Sequence, residues 1–306
     1  MISIVFPAYN EEGNVAELHR RIVEVMKKTR MEYEIIAVDN ASVDGTYAAL
    51  KRLSPITVVR MAYNIGQTAG LDAGMHVAKG DIIVTLDADL QNDPSDIPAM
   101  LTKLDDGYDL VAGWRKDRHD SFGRRLFSRF ANTLARRILG VNINDYACAL
   151  KVFRKRFLEG VHLYGEMHVF LAGILHFRGA RITEMVVKHH GRTAGISKHT
   201  FIKGAKDVAD LLTIRFLFGT TRPLVLFGAI GLLFFALAGL SFIAAVVFKL
   251  TGHHNFMQTP LPIMTAFFGI GGITISMMGL IAELVLRAYY ETSGKTPYVV
   301  SAIERY

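Results

Sequence analysis

Ile82-Ile83-Val84-Thr85-Leu86-Asp87-Ala88-Asp89-Leu90-Gln91 decides the fold class. An apolar, β-branched run of strand length ends in two carboxylates one residue apart. At a strand end, an i, i+2 pair can face the same way and share one cation bound to a diphosphate. Mg2+ and Mn2+ suit that role, since they take a few carboxylates and fill the remaining positions with water and phosphate oxygens. A bare Asp-x-Asp also occurs in solvated turns; the strand directly ahead of this one makes it informative.

Outward from that run the pattern repeats. Strands are expected at Ile2–Phe6, Tyr33–Val38, Ile56–Arg60, Asp81–Leu86 and Leu110–Ala112, with helices at Val15–Met26, Thr46–Leu53, Thr68–Ala78 and Ile97–Leu104. Strands alternating with helices predict an α/β fold with a mostly parallel, Rossmann-like, doubly wound sheet. Ligands bind such sheets beyond the carboxyl ends of the strands. Two further polar loops fall there, Pro7-Ala8-Tyr9-Asn10-Glu11-Glu12 and Asp39-Asn40-Ala41-Ser42-Val43-Asp44-Gly45. An acid in the place of Asp39 suits ribose hydroxyls or a base N–H, whereas Asp44 reads as a helix cap.

The second half is more apolar than a soluble α/β protein needs: the chain is 51% hydrophobic with a mean hydropathy of +0.26. Pro223 to Phe248 and Asn255 to Ala282 carry no charge, and each exceeds the roughly 20 apolar residues that span a bilayer. Buried core helices of that length would show a polar face. Lys198, Lys203, Lys206, Arg215 and Arg222 precede the first run, and Arg287, Lys295 and Arg305 follow the second. The positive-inside rule then puts both ends in the cytoplasm, with a short external loop between the spans. The expected organisation is a cytoplasmic α/β domain over 1–200, a juxtamembrane amphipathic helix over 201–222, two spans over 223–288 and a cytoplasmic tail over 289–306. Glycines in the spans, Gly228, Gly231, Gly239, Gly269, Gly271 and Gly272, permit close helix packing and self-association. The single cysteine, Cys148, rules out an intrachain disulfide and suits a reducing compartment. The net charge of +7 gathers near the apolar runs, which points to anionic lipid or phosphate rather than nucleic acid.

The helix expected over Phe122 to Leu139 spaces Phe122, Leu126, Phe130, Leu134 and Ile138 by four, with Arg124, Arg125, Arg129, Arg136 and Arg137 elsewhere. It either lies on a membrane surface or packs its apolar stripe on the sheet. His189-His190 and His253-His254 resemble metal pairs, but neighbouring histidines on a strand point apart. His168 reads as a packing or hydrogen-bonding residue. Glu283, four residues before Arg287, has the spacing of a helical ion pair.

Taken together, Pro7-Ala8-Tyr9-Asn10-Glu11, Asp39 with Asp44-Gly45-Thr46, and Asp87-Ala88-Asp89-Leu90-Gln91 resemble the GT-A domain of family 2 glycosyltransferases. Gly113-Trp114-Arg115, Arg124 ahead of Ser128, Asp145 ahead of Leu150-Lys151, Gly165-Glu166-Met167-His168, and Arg192 through Lys198 are similar to the polyprenyl-phosphate glycosyltransferases. The resemblance covers essentially the whole chain. It implies an inverting, Mg2+- or Mn2+-dependent transfer of a hexose, glucose or mannose first, from a UDP- or GDP-sugar to undecaprenyl or dolichyl phosphate at the cytoplasmic (inner) membrane. By position it implies that Pro7, Tyr9, Glu11 and Asp39 hold the nucleotide, and that Asp87, Asp89 and Gln91 surround the cation and diphosphate. Arg115, Arg124 and Ser128 would receive the acceptor phosphate, with Arg192 and Lys198 near the phosphates of either substrate. The sequence departs from the family pattern at Asp39-Asn40-Ala41-Ser42, Asn92-Asp93-Pro94 and Ala147-Cys148-Ala149-Leu150-Lys151.

No side chain reads as a catalytic base, and a phosphate acceptor needs none. Its second pKa is about 6, so it arrives largely dianionic and calls for cations in fixed places, which arginine supplies. Three other readings compete. A different lipid or a polysaccharide acceptor would demand a base or more spans. A catalytically decayed membrane scaffold would not need the Asp87/Asp89 pair, and a transporter would need polar residues within the spans.

Overall fold

The computed structural model describes residues 1–116, 122–191, 201–219, 223–252 and 259–293, with the backbone alone for 122–130, 201–209, 286–287 and 289–293. The described residues fall into two compact units, those up to 219 and those from 223 onward.

The first unit is built on seven strands: β1 (Ile2–Ala8), β2 (Tyr33–Asp39), β3 (Thr57–Arg60), β4 (Ile82–Thr85), β5 (Leu110–Trp114), β6 (Lys151–Arg154) and β7 (Ile182–Val186). They lie in the order β3-β2-β1-β4-β6-β5-β7. All pairings are parallel except those of β6, which runs antiparallel to both β4 and β5. The expected mostly parallel α/β sheet is therefore present, with one reversed strand near its centre. β6 and β7 were not expected. Lys151-Val152-Phe153-Arg154 is short and charged at both ends, and Ile182–Val186 carries Thr and Glu within it.

Alternate strand residues face opposite layers. Ile4 and Phe6 point to α1 (Val15–Thr29), α2 (Thr46–Leu50) and α4 (Ile97–Asp105). Val5 points to α3 (Gln67–Val77), α5 (Phe122–Leu139), α6 (Leu171–Phe177) and α7 (Phe201–Gly219). Both faces are covered, as a parallel sheet requires. For α5 the described half settles the choice left open above: Ala135 and Leu139 are buried in the core, and Leu134 and Ile138 pack against it. Leu211 and Ile214 of α7 join the same core.

Register sets the chemistry. Ala8 pairs with Asp39, Asp39 with Arg60 and Val5 with Thr85, so β1, β2, β3 and β4 end along one edge. β1 lies between β2 and β4, the point where a doubly wound sheet opens a crevice.

The second unit is a hairpin of α8 (Pro223–Leu250) and α9 (Leu261–Ser293). Both are long and apolar enough to cross a bilayer, over Pro223–Leu250 and Leu261–Val285. Leu232 is 70% exposed and Ile263 75%. Each such side chain would cost about 1.5–3 kcal/mol if left in water, so these faces call for lipid rather than solvent. The helices meet closely at Gly231 and Gly272: a Cβ on Gly231 would sit 2.3 Å from the Ser276 Oγ and 3.1 Å from the Gly272 carbonyl. Gly228, Gly239 and Gly269 face open space. Arg287, the expected partner of Glu283, has no described side chain, and His253-His254 lie outside the described residues.

Candidate active site

The strand-end loops surround a cleft of about 270 Å³ lined by Pro7 and Ala8 at the end of β1, Tyr9 and Glu11 after it, Asn40 after β2, Asn64 and Gly66 before α3, Gln67 at its start, and Asp87, Ala88 and Asp89 after β4. The backbone is strained here. Of the four non-glycine residues with positive φ among the described ones, Asn10 (58°), Ala41 (59°) and Leu90 (60°) sit in the loops after β1, β2 and β4. Each costs roughly 1–2 kcal/mol, and such strain gathers where a loop is shaped for a ligand.

The first two loops brace each other. Asn10 N–H donates to Ser42 Oγ (3.1 Å) and Val43 N–H to Asn10 Oδ1 (3.0 Å). Glu11 N–H donates to Thr46 Oγ1 (2.8 Å), and Gly45 N–H to Glu12 Oε2 (3.0 Å). Asp44 was expected to cap a helix; the N-cap of α2 is Gly45, and Asp44, one residue earlier, accepts the Thr46 N–H at 3.0 Å. Burial pulls the Asp44 carboxyl up, but the Thr46 hydroxyl and N–H outweigh it and hold the group below its usual range. Asp39 is fully buried; its Oδ1 accepts the Ser42 N–H (3.1 Å). Its Oδ2 has no hydrogen-bond partner among the described residues, with Arg60 Nε at 3.6 Å. A buried acceptor left in that state is costly, and a ribose hydroxyl or base N–H would satisfy it.

After β4, Asp89 is 7% exposed and Asp87 half-buried. Gln67 Nε2 donates to Asp87 Oδ1 at 2.6 Å, and the Gln91 N–H to Asp89 Oδ1 at 3.2 Å. The two carboxylates line one cleft with hard oxygen donors, which fits Mg2+ or Mn2+. Gln91 itself lies beyond the cleft wall; its carbonyl accepts from His190 N–H at 2.9 Å. There the segment after β7 is laid along the loop after β4, through an Asn92–His189 bridge and His190 Nε2 to Asp93 Oδ2 at 3.1 Å.

Directly after β5, Arg115 is only 13% exposed and gripped by Asp145: Nε to Oδ2 at 2.7 Å and Nη2 to Oδ1 at 2.9 Å. Burial alone would lower the guanidinium pKa; the Asp145 hydrogen bonds and charge outweigh it and raise it, with Cys148 and Asp87 adding to the effect. Arg115 was expected to face an acceptor phosphate, and in the structure its charge is already largely matched. Beneath it Lys151 is buried with its Nζ on the Cys148 carbonyl, and burial pushes its pKa down. Burial pushes the Cys148 thiol up, which leaves it unreactive. Arg124 and Ser128 lie on the backbone-only part of α5, and Arg192 and Lys198 lie outside the described residues.

Sequence reading missed Asn40, Asn64, Gly66 and Gln67. Asn40 Nδ2 donates to the Gly66 carbonyl (2.8 Å) and Gly66 N–H to Asn64 Oδ1 (2.9 Å). These bonds shape a turn in which Gly66 takes φ +111°, a value open to glycine. The legible signal was Asn-x-Gly directly ahead of a helix.

Comparison with known proteins agrees with this geometry. The family described as Glycosyl transferase family 2 matches residues 3–161. A dodecaprenyl-phosphate galacturonate synthase of Rhizobium johnstonii is 36% identical, over 99% of this chain and 92% of its own. An undecaprenyl-phosphate 4-deoxy-4-formamido-L-arabinose transferase of Pseudomonas fluorescens is 34% identical, over 99% and 90%. Among solved structures, a glucosyl-3-phosphoglycerate synthase of Mycobacterium tuberculosis, in complex with Mn2+, UDP and phosphoglyceric acid, superposes with a TM-score of 0.55. It is 20% identical and covers 70% of this chain and 78% of that one, a likeness of fold.

Proposed function

The chain belongs to glycosyl transferase family 2, and from that membership we propose that it transfers a sugar from a nucleotide-sugar to a polyprenyl phosphate at the cytoplasmic face of the inner membrane. The observation that carries the reading is Asp87 and Asp89 lining one cleft, with Asp39 buried at the end of β2 on the same strained sheet edge, in a chain that also carries two helices fit to span a bilayer.

Asp39 takes the ribose or base of a UDP- or GDP-sugar through its unsatisfied Oδ2, between Pro7, Tyr9 and Glu11. Asp87 and Asp89 hold the divalent cation, with Gln91 N–H fixing Asp89. When bound there, the cation supplies Lewis-acid stabilisation of diphosphate charge. Arg115, locked by Asp145, presents a fixed positive field to the acceptor side, and Arg124, Ser128, Arg192 and Lys198 complete the phosphate contacts. The acceptor is dianionic without help, so positioning and charge carry the reaction, with inversion at the anomeric carbon. A lipid-borne phosphate stays at headgroup depth, which is why the site needs anchoring helices.

The sugars named for the relatives, galacturonate and a formamido-arabinose, join the glucose and mannose expected from sequence. The test is incubation of the purified full chain with undecaprenyl phosphate, Mn2+ and a panel of labelled nucleotide-sugars covering these four. Label passing into the lipid phase with one donor, lost in EDTA, is the expected result. Nucleotide binding without lipid label from any donor would overturn the acceptor assignment.

A further inference from the structure

The cleft uses the first residue of α3, Gln67, but a neighbouring face of that helix is engaged elsewhere. Thr68, Asp72 and His76 are spaced by four and share one face. That face grips residues 162–168. Thr68, 3% exposed, has its Oγ1 2.5 Å from the Gly165 carbonyl and 2.6 Å from His168 Nδ1. Asp72 Oδ1 accepts the Leu163 N–H at 2.9 Å. The His76 ring stacks on His162 at 4.6 Å with 5° between planes. Asp72, His76 and His162 could be taken for a metal site. However, parallel rings keep their nitrogen lone pairs in parallel, separated planes, and His76 Nδ1 already donates to the Asp72 carbonyl at 2.8 Å. The three act as a clasp.

From its other side the segment is held by α7. Asp210 Oδ2 accepts the Glu166 N–H at 2.8 Å, and a Cβ at Gly165, where φ is +57°, would meet that oxygen at 2.7 Å. A continuous line of hydrogen bonds and adjoining residues thus runs from Asp87 through Gln67 and Thr68 to Gly165, Glu166 and Asp210.

The chemistry of Thr68 fixes proton positions along this line. A carbonyl only accepts, so the Thr68 hydroxyl donates to Gly165; its oxygen then accepts a hydrogen bond from His168, which carries its proton on Nδ1. We propose that Thr68 and His168 are positioning residues for the cation-binding carboxylates. They pin the first turn of α3, so that Gln67 holds Asp87 in its orientation, as outer-shell partners hold metal ligands. Asp210 ties that setting to α7, the helix that precedes the spans in the chain. The inference rests on the proposed role of Asp87 and Asp89.

The test titrates Mn2+ alone into the purified full chain and follows free Mn2+ by electron paramagnetic resonance, with a thermal melt of every variant. An asparagine amide places its nitrogen where Nδ1 stands, and a glutamine amide where Nε2 stands. The expected result is wild-type affinity in Thr68→Ser and His168→Asn, about tenfold weaker binding in Thr68→Val and His168→Gln, and a cooperative melt in all four. Unchanged binding in Thr68→Val and His168→Gln would overturn the inference. So would binding kept by His168→Gln and lost by His168→Asn, which moves the role to Nε2. Weakening that appears only where the melt loses cooperativity would reduce the pair to a structural contact. No Mn2+ binding by the wild-type chain would instead sink the cation site itself, and this inference with it.

Discussion

The β1–β4 part of the sheet edge and the β5 part hold their charges in different ways. On the β1, β2 and β4 side, carboxylates stand at strand ends and are steadied by N–H groups of their own loops, Ser42 for Asp39 and Gln91 for Asp89. On the β5 side, Arg115 is steadied by Asp145, 30 positions away. The first arrangement is local and leaves Asp87 and Asp89 lining the cleft. The second is an ion pair between distant segments, so one residue serves both charge and fold. Substitutions on the first side should therefore cost activity, and on the second side stability as well.

The largest effect expected is on the first side. Asp89→Asn keeps the shape and removes a charge, and transfer should fall about 10³-fold with the melting temperature unchanged. A label-transfer assay retaining more than a tenth of the rate would break the comparison there. Next comes Asp145→Ala, which leaves a nearly buried guanidinium without its partner. Urea unfolding of the full chain in detergent should lose roughly 3–5 kcal/mol; a loss of activity without a loss of stability would put Asp145 in direct contact with substrate. Asp39→Asn sharpens the contrast with a smaller effect. It should raise the donor KM about tenfold, roughly 1.4 kcal/mol, with kcat and stability held.

The smallest effect belongs to Asp109, at the opposite end of β5, beside Arg156 Nη2 at 3.0 Å and the Arg181 N–H at 3.0 Å. Burial pulls its carboxyl pKa up, but the Arg181 N–H and the Arg181 and Arg156 side chains outweigh that and hold it below the ordinary value. A depressed folded pKa gives stability that is present above the ordinary carboxylate value near 4 and lost as pH falls through the folded value. Asp109→Asn should flatten the acid limb of a melting-temperature profile and leave transfer at neutral pH unaltered.

The same contrast explains what could be read in the sequence. β1, β2 and β4 are apolar runs ending in turn-forming polar residues, so strand, edge and carboxylate appear together. β6 could not be seen, because its place between β4 and β5 depends on pairing across the sheet and on burying Lys151 against the Cys148 carbonyl. For the same reason Arg115 was expected to await a phosphate, since nothing near it in sequence announces Asp145. Gln67 and Thr68 sit in a helix start with ordinary composition, and only the folded contacts with Asp87, Gly165 and His168 give them a role. The two long apolar helices were legible because a run long enough to cross a bilayer shows in composition alone; their close contact at Gly231 and Gly272 needed the structure.

The central claim is that the acceptor is a lipid-borne phosphate that needs no base. The direct measurement offers the wild-type chain undecaprenyl phosphate or undecaprenol, each with Mn2+ and the labelled nucleotide-sugar that performs best. The account predicts label in the lipid phase with the phosphate alone. Equal transfer to the alcohol would contradict it, since a hydroxyl acceptor would require a base among residues here given other work.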